Sequence, residues 1–445
     1  MPGPSRPRCT ETIDDADPSS MASLRLMVLK HLTGRSLRDS FMLGLRLVTA
    51  RGMSVLTLIA AAWLVDIQAF AEFGIYQTFA TLAGIALFLR YDAAIVGASD
   101  RSESRNAMRL CLCLGGILFL VFALASIGSA ALGWVRWELA LLLPLSILAR
   151  GMLRLSYARA TGDRDFKGLG RAILMQALVQ PVVLLTLVLV GVEDVLCFVL
   201  ADIIGHNSGV AYLLVRQGRR LRGIFAGWSK AAIVAVARRW KSLPLYNLPG
   251  SFFSLAFVMS PLLITPMAAD EIFAGHVALA YRIFDVPTQI LTAAATPIFL
   301  NFRPASEYPT PIFGRSMMIG LILLVGAAYA GMAGLLLLAD PWLDQTALAG
   351  LADTVPIIAL FHLFVAMAAP LNESCTLYPQ QRRLVFIQGL ALFGSGVAAC
   401  VALLISAEAA LMSLAGLAIL RMVAVGELLR VLSGISHRAF MPAKA

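Results

Sequence analysis

The sequence predicts an all-α, polytopic membrane protein with about twelve transmembrane helices in two six-helix lobes, and three observations carry that expectation. Hydrophobic residues make up 59% and charged residues only 14% of the 445-residue chain, with a mean hydropathy of +0.81. Soluble domains carry roughly 25% charge, so this chain lacks the polar residues to cover several water-exposed domains. Apolar runs of about 20 residues, long enough to cross a bilayer as helices, recur along nearly the whole length. The loops between them alternate in charge, which fixes an orientation.

Twelve such runs lie near 41–65, 75–97, 108–132, 138–157, 171–191, 195–215, 246–268, 275–300, 315–339, 351–374, 384–406 and 409–432. The polar segment 1–40 precedes them; its first 20 residues have a disordered composition, and Met21 is an alternative start. One set of loops holds Arg101, Arg105, Arg159, Arg164, Lys167, the run Arg216–Lys241, Arg303, Arg382 and Arg383. The alternate set carries Asp66, Glu72, Glu138, Glu193, Asp194, Asp270, Glu271, Asp340, Asp344 and Glu408 against a single Arg136. The positive-inside rule then places both termini in the cytoplasm. Trp63, Trp134, Trp137 and Trp342 fall at the outer span edges, where an interfacial belt belongs.

The longest internal loop splits the spans six and six. It gives a lobe of helices 1–6 over 41–215, a basic linker over 216–245, a lobe of helices 7–12 over 246–433 and a tail over 434–445. The linker stretch 224–240 reads as an amphipathic helix lying on the anionic inner leaflet. Net charge is +10, from 36 basic and 26 acidic residues. In a membrane protein that excess belongs to cytoplasmic loops, so no nucleic-acid partner is implied. The six cysteines form no CxxC pair, and neither a metal site nor a disulfide framework is indicated.

Charges inside spans are the candidate functional residues, because an ionised side chain at the bilayer centre costs roughly 2.5–3.5 kcal/mol. Arg51 lies about 15 Å deep and Arg90 about 12 Å, at 1.5 Å per residue, with Arg46 nearer the cytoplasm. Three guanidinium groups on two adjacent helices imply either an anion-binding cavity or internal salt bridges with Asp92, Asp202 or Asp285. Arg282 and Asp285 are three apart and share a helix face, so they can pair. Asp202 and His206, four apart in the sixth span, form either a proton-coupling pair or a polar packing patch. Asp92 and Asp285 are further candidate acids for ion coupling. Arg150 and Arg154, near a cytoplasmic helix end, read as snorkelling residues, and His362 reads as packing. Pro261, Pro266, Pro287 and Pro297 favour bends in the seventh and eighth spans. Arg90-Tyr91-Asp92 and Tyr281-Arg282-Ile283-Phe284-Asp285 recur in the second helix of each half, as parallel repeats would.

Several stretches together carry a family resemblance: Ala71-Glu72-Phe73-Gly74-Ile75-Tyr76, Leu89-Arg90-Tyr91-Asp92-Ala93-Ala94-Ile95, Trp240 to Pro249, and Ala274 to Arg282. In order and spacing the chain resembles polysaccharide flippases of the Wzx type, in the multidrug/oligosaccharidyl-lipid/polysaccharide exporter superfamily. Asp92 stands where that family more often has Glu. The resemblance implies a central cavity and movement of an undecaprenyl-pyrophosphate-linked oligosaccharide across a bacterial inner membrane by alternating access. It implies an ion gradient as driving force and no cofactor, and this sequence carries no G-x-x-x-x-G-K-[ST] phosphate loop. Under it, Arg46, Arg51, Arg90 and Arg282 would hold the pyrophosphate, and Asp92, Asp202, His206 and Asp285 would serve ion coupling. Partners would be the lipid-linked substrate, membrane lipids, a polysaccharide polymerase and a chain-length regulator. The rivals are a multidrug exporter of the same superfamily, which would line its cavity with acids, and a membrane-embedded polymerase or glycosyltransferase, which would need a sizeable outer loop.

Overall fold

A computed structural model describes residues 49–439, apart from 50–51, 54–55, 58, 164, 193, 226, 302–310, 344–348 and 376–380. Every regular element among the described residues is a helix. Seven of these helices are long and apolar enough to cross a membrane, or eight if one bent pair is a single span. The other four predicted spans coincide with helical stretches that are described in part, interrupted, or diluted by polar residues. They are 49–62, Ile67–Ala86 with Asp92–Gly97, Glu271–Asn301, and Pro311–Leu343.

The second span is the first correction. Its helix starts at Ile67, capped by the Asp66 carboxylate on the Gln68 amide, and ends at Ala86. A turn then precedes the short helix Asp92–Gly97. Leu89 and Arg90 are both left-handed at the turn, with φ of 48° and 65°. Each such non-glycine residue costs on the order of 1–3 kcal/mol, so surrounding packing must hold it. Leu87 and Phe88 supply that packing by filling the spaces left by Gly151 and Gly115, where any Cβ would collide with them.

The seventh span is also broken. It enters through a π-helical turn, Leu243–Asn247, and runs as Leu248–Val258 and Ser260–Ala268, which meet at 45°. Pro261 stands at the start of the second piece, where it cannot complete the ladder. Pro287, by contrast, lies inside a helix that stays continuous from Glu271 to Asn301.

The sixth span overruns its predicted end and continues as helix from Val195 to Phe225. Hydropathy marks where the membrane stops, whereas Arg, Leu and Gln propagate a helix beyond it. The linker helix is shorter than predicted, Lys230–Arg239. Val234 is exposed, but the opposite apolar face packs on protein. Val236 is buried, and Ile233 and Ala237 pack with it on a core built from Leu87, Phe88, Tyr91 and Leu155. Arg109 fastens the approach to this helix, donating to the Ile224 and Gly227 carbonyls at 2.8 and 3.0 Å.

The two halves meet where the second span packs against the eighth and seventh. These are corresponding positions in the two halves, and small residues permit the approach. Gly74 faces Ala278, and Gly275 lies against the Ile67 backbone so closely that any Cβ would overlap its carbonyl oxygen. The largest apolar cluster crosses this junction, joining Phe70, Phe73 and Phe198 to Phe257, Phe284 and Phe361.

Candidate functional site

Two charged clusters form at the junction of the halves. In the first, Arg154 Nε lies 2.7 Å from Asp92 Oδ2, and both side chains are largely buried. The left-handed turn before Asp92 aims Arg90 away from this pair and across the junction. Its Nε donates to Asn247 Oδ1 at 2.6 Å, linking the first half to the π-helical turn of the second.

The second cluster lies deeper. Arg150 Nη2 donates to both carboxylate oxygens of Asp202 at 2.8 Å. His206 Nδ1 is 2.8 Å from the Asp202 carbonyl oxygen and 3.4 Å from its Oδ1, and Nε2 is 3.4 Å from Gln176 Nε2. A ring protonated on Nδ1 satisfies both neighbours, donating to the carbonyl and accepting from the amide. The Tyr76 hydroxyl donates to Ser146 Oγ at 2.9 Å beside this pair.

Arg282 completes the deeper cluster without entering an ion pair. Its guanidinium carbon stands 4.0 Å from the Phe73 ring centre and 5.9 Å from those of Phe70 and Phe198. Two of its nitrogens, Nε and Nη2, are buried without a hydrogen-bond partner among the described residues. Asp202, Arg150 and Asp285 lie within electrostatic range. Aromatic faces solvate part of the charge, contributing about 2 kcal/mol when desolvated, but leave its donors unused.

These positions sort the sequence-predicted residues. Arg46 and Arg51 lie outside the described residues. Asp92 and Asp202 do have arginine partners, and these are Arg154 and Arg150. That corrects the snorkelling assignment: both arginines turn inward because a carboxylate waits on a neighbouring helix. Arg282 and Asp285, which share a helix face and could pair, stand within electrostatic range but make no ion pair with each other. Arg282 is drawn to the aromatic rings instead. The repeat between the halves is not positional either. Arg282 packs on Phe73 near the start of the second span, whereas Arg90 lies beyond the end of that helix at Ala86, which is roughly 20 Å from Phe73 at 1.5 Å per residue. His362 is fully buried, edge-on to Tyr281 at 4.4 Å, with Nδ1 3.3 Å from Thr288 Oγ1.

A third feature centres on Arg421, a charge inside the twelfth span to which the sequence assigned no role. Arg421, 4% exposed, donates from Nε to Gln388 Oε1 at 2.7 Å and from Nη2 to Ser254 Oγ at 2.5 Å. Its charge sits 5.2 Å from the Phe257 ring centre. The available signal was an Arg near the middle of a span whose other charges, Glu427 and Arg430, lie at its end.

The fold is similar to those of solved transporters, several of them described as members of the multidrug/oligosaccharidyl-lipid/polysaccharide (MOP) superfamily. The lipid II flippase MurJ, in an inward closed conformation, matches with a TM-score of 0.64 at 8% identity over 88% of this chain and 87% of that one. An inward-facing MATE-family multidrug-resistance transporter matches with 0.57 at 12% identity, over 89% of this chain and 100% of that one. A MOP transporter from Pyrococcus furiosus, whose binding pocket is described as of reverse polarity, matches with 0.56 at 12% identity over 91% and 97%. No family model and no curated protein matches the sequence.

Proposed function

We propose that this protein is a transporter that flips undecaprenyl-pyrophosphate-linked oligosaccharide units across a bacterial inner membrane by alternating access. The observation that carries this reading is the sign of the interior. Among the described residues, the spans hold Arg90, Arg150, Arg154, Arg282 and Arg421 inside the protein against Asp92, Asp202 and Asp285, and Arg154 and Arg150 already pair Asp92 and Asp202. The unpaired guanidinium forks match phosphate oxygens. An exporter of organic cations would need the opposite balance. A lipid tail can stay in the bilayer while the anionic head crosses between the halves. Arg90, beyond the end of the second-span helix, and Arg282, packed near its start, suit successive contacts, Arg90 on the cytoplasmic side and Arg282 deeper. Asp202 with His206 is the coupling pair, and Arg150 is the partner that releases Asp202 when the ion arrives. A polysaccharide polymerase and its chain-length regulator take the product.

The test is flipping by the full chain in liposomes carrying undecaprenyl-pyrophosphate oligosaccharide, read as loss of access to an impermeant sugar-oxidising reagent. Arg282→Ala should slow it at least tenfold, and Arg282→Lys, which keeps charge without the fork, should fall between. Ethidium efflux with no flipping would replace this reading with multidrug export.

A further inference from the structure

We propose a second oxyanion-binding subsite, wholly in the second half of the chain, in the pocket between the seventh, tenth and eleventh spans. This rests on the flippase reading and names what else of the substrate that half would hold. The cavity measures about 80 Å³ and is lined by Asn247, Ser251, Ser254, Asn372, Gln381 and Gln388, among others. At 10–15 Å³ per water-sized group, it takes roughly half a dozen such groups, enough for a carboxylate or phosphate with its nearest neighbours.

The direction of three of the four amides in this pocket, Asn247, Asn372 and Gln388, is forced. A guanidinium has donors and no acceptor, so the atom facing Arg421 Nε must be the Gln388 oxygen. The Gln388 nitrogen is then a donor, and it gives its hydrogen to Asn372 Oδ1 at 2.8 Å. Arg90 orients Asn247 by the same logic, engaging its Oδ1. Ser254 Oγ is likewise an acceptor for Arg421. Internal bonds thus engage the oxygens of Asn247, Asn372 and Gln388, and the pocket is left with the amide hydrogens of Asn247 and Asn372 and the hydroxyl of Ser251. Behind them is the Arg421 charge, which no carboxylate among the described residues pairs. A wall of donors backed by a buried cation selects an acceptor-only, negatively charged group. Two parts of a lipid-linked glycan have that chemistry, the pyrophosphate and a carboxylate on an acidic sugar. Arg421 acts here as a positioning residue, setting the polarity of the chain Gln388–Asn372.

Direct binding tests this apart from transport. Purified full-length protein is titrated calorimetrically with inorganic pyrophosphate and, separately, with glucuronate. Asn372→Asp preserves the acceptor that Gln388 needs but replaces the exposed donor with a negative oxygen. It should weaken binding of at least one probe tenfold or more, whereas a purely structural network would tolerate the change. Ser251→Val fills the pocket without touching the Arg421 chain and should give the same loss, so the proposal stays testable if Asn372→Asp fails to accumulate. Loss confined to pyrophosphate assigns the subsite to the lipid-linked head, and loss confined to glucuronate assigns it to an acidic sugar. Unchanged affinity for both probes in Ser251→Val, or no binding of either by the unmodified protein, overturns the subsite. Failure of flipping with binding intact would overturn the transport reading alone.

Discussion

Asp92 lies in the interior of the first half with one recorded ion-pair partner, Arg154, 2.7 Å away. Removing one member of a buried pair strands the other and costs about 3–5 kcal/mol, while removing both can be nearly neutral. Arg154→Ala should therefore cut the abundance of folded protein, and Arg154→Ala combined with Asp92→Ala should restore it, read by fluorescence-detected size exclusion. Asp202 makes a different prediction. Asp202→Asn should abolish the pH-gradient dependence of flipping while substrate binding stays measurable, and unchanged dependence would assign Asp202 and His206 to packing. Asn tolerates the left-handed region that Arg90 occupies. Arg90→Asn should thus fold normally and lose flipping, which separates charge from backbone. Of these residues the sequence announced the acids and Arg90 but not Arg150 and Arg154. Their spacing on one helix near its cytoplasmic end looks like snorkelling, and the carboxylates that capture them sit 52 and 62 positions away in the chain.

Helices were legible as elements because a 20-residue apolar run has no other stable form in a bilayer. Their interruptions were legible only where chemistry marks them. Pro261 announced the bend of the seventh span. Nothing in Leu87-Phe88-Leu89-Arg90-Tyr91 announced the break of the second, since no Gly or Pro is present and the cause is packing against Gly115 and Gly151 on other helices. The linker's apolar stripe was visible, but whether it faces lipid or protein depends on what the third span offers it. At the junction of the halves, Gly275 is the sensitive position. Gly275→Val places a branched Cβ against the Ile67 carbonyl, so the second and eighth spans cannot close. The expected result is near-normal abundance, abolished flipping and new labelling of a cysteine introduced at buried Ala71.

Charge alternation between loops set the orientation, and it also sets the topology experiment. Single cysteines at Asp194 and Asp270, in a background without native cysteines, should react with an impermeant thiol reagent on spheroplasts, and one at Arg219 should not. Labelling at Arg219 with protection at the other two would invert the orientation. The halves and their count follow from hydropathy and charge alone, whereas the way they meet does not. The second helix of each half faces its counterpart through Gly74 and Gly275, a contact made by missing side chains, so no hydrophobic pattern records it.

Trp240 closes the linker onto the first half, its indole nitrogen donating to Glu103 Oε1 at 3.0 Å and its ring filling the space over Gly97. Because the residues that follow it lead directly into the π-helical turn of the seventh span, any hinge motion of the second half pulls on this ring. The protein therefore carries its own optical gauge. With the other five tryptophans replaced, the emission colour of Trp240 would register linker undocking during turnover, with no dye attached.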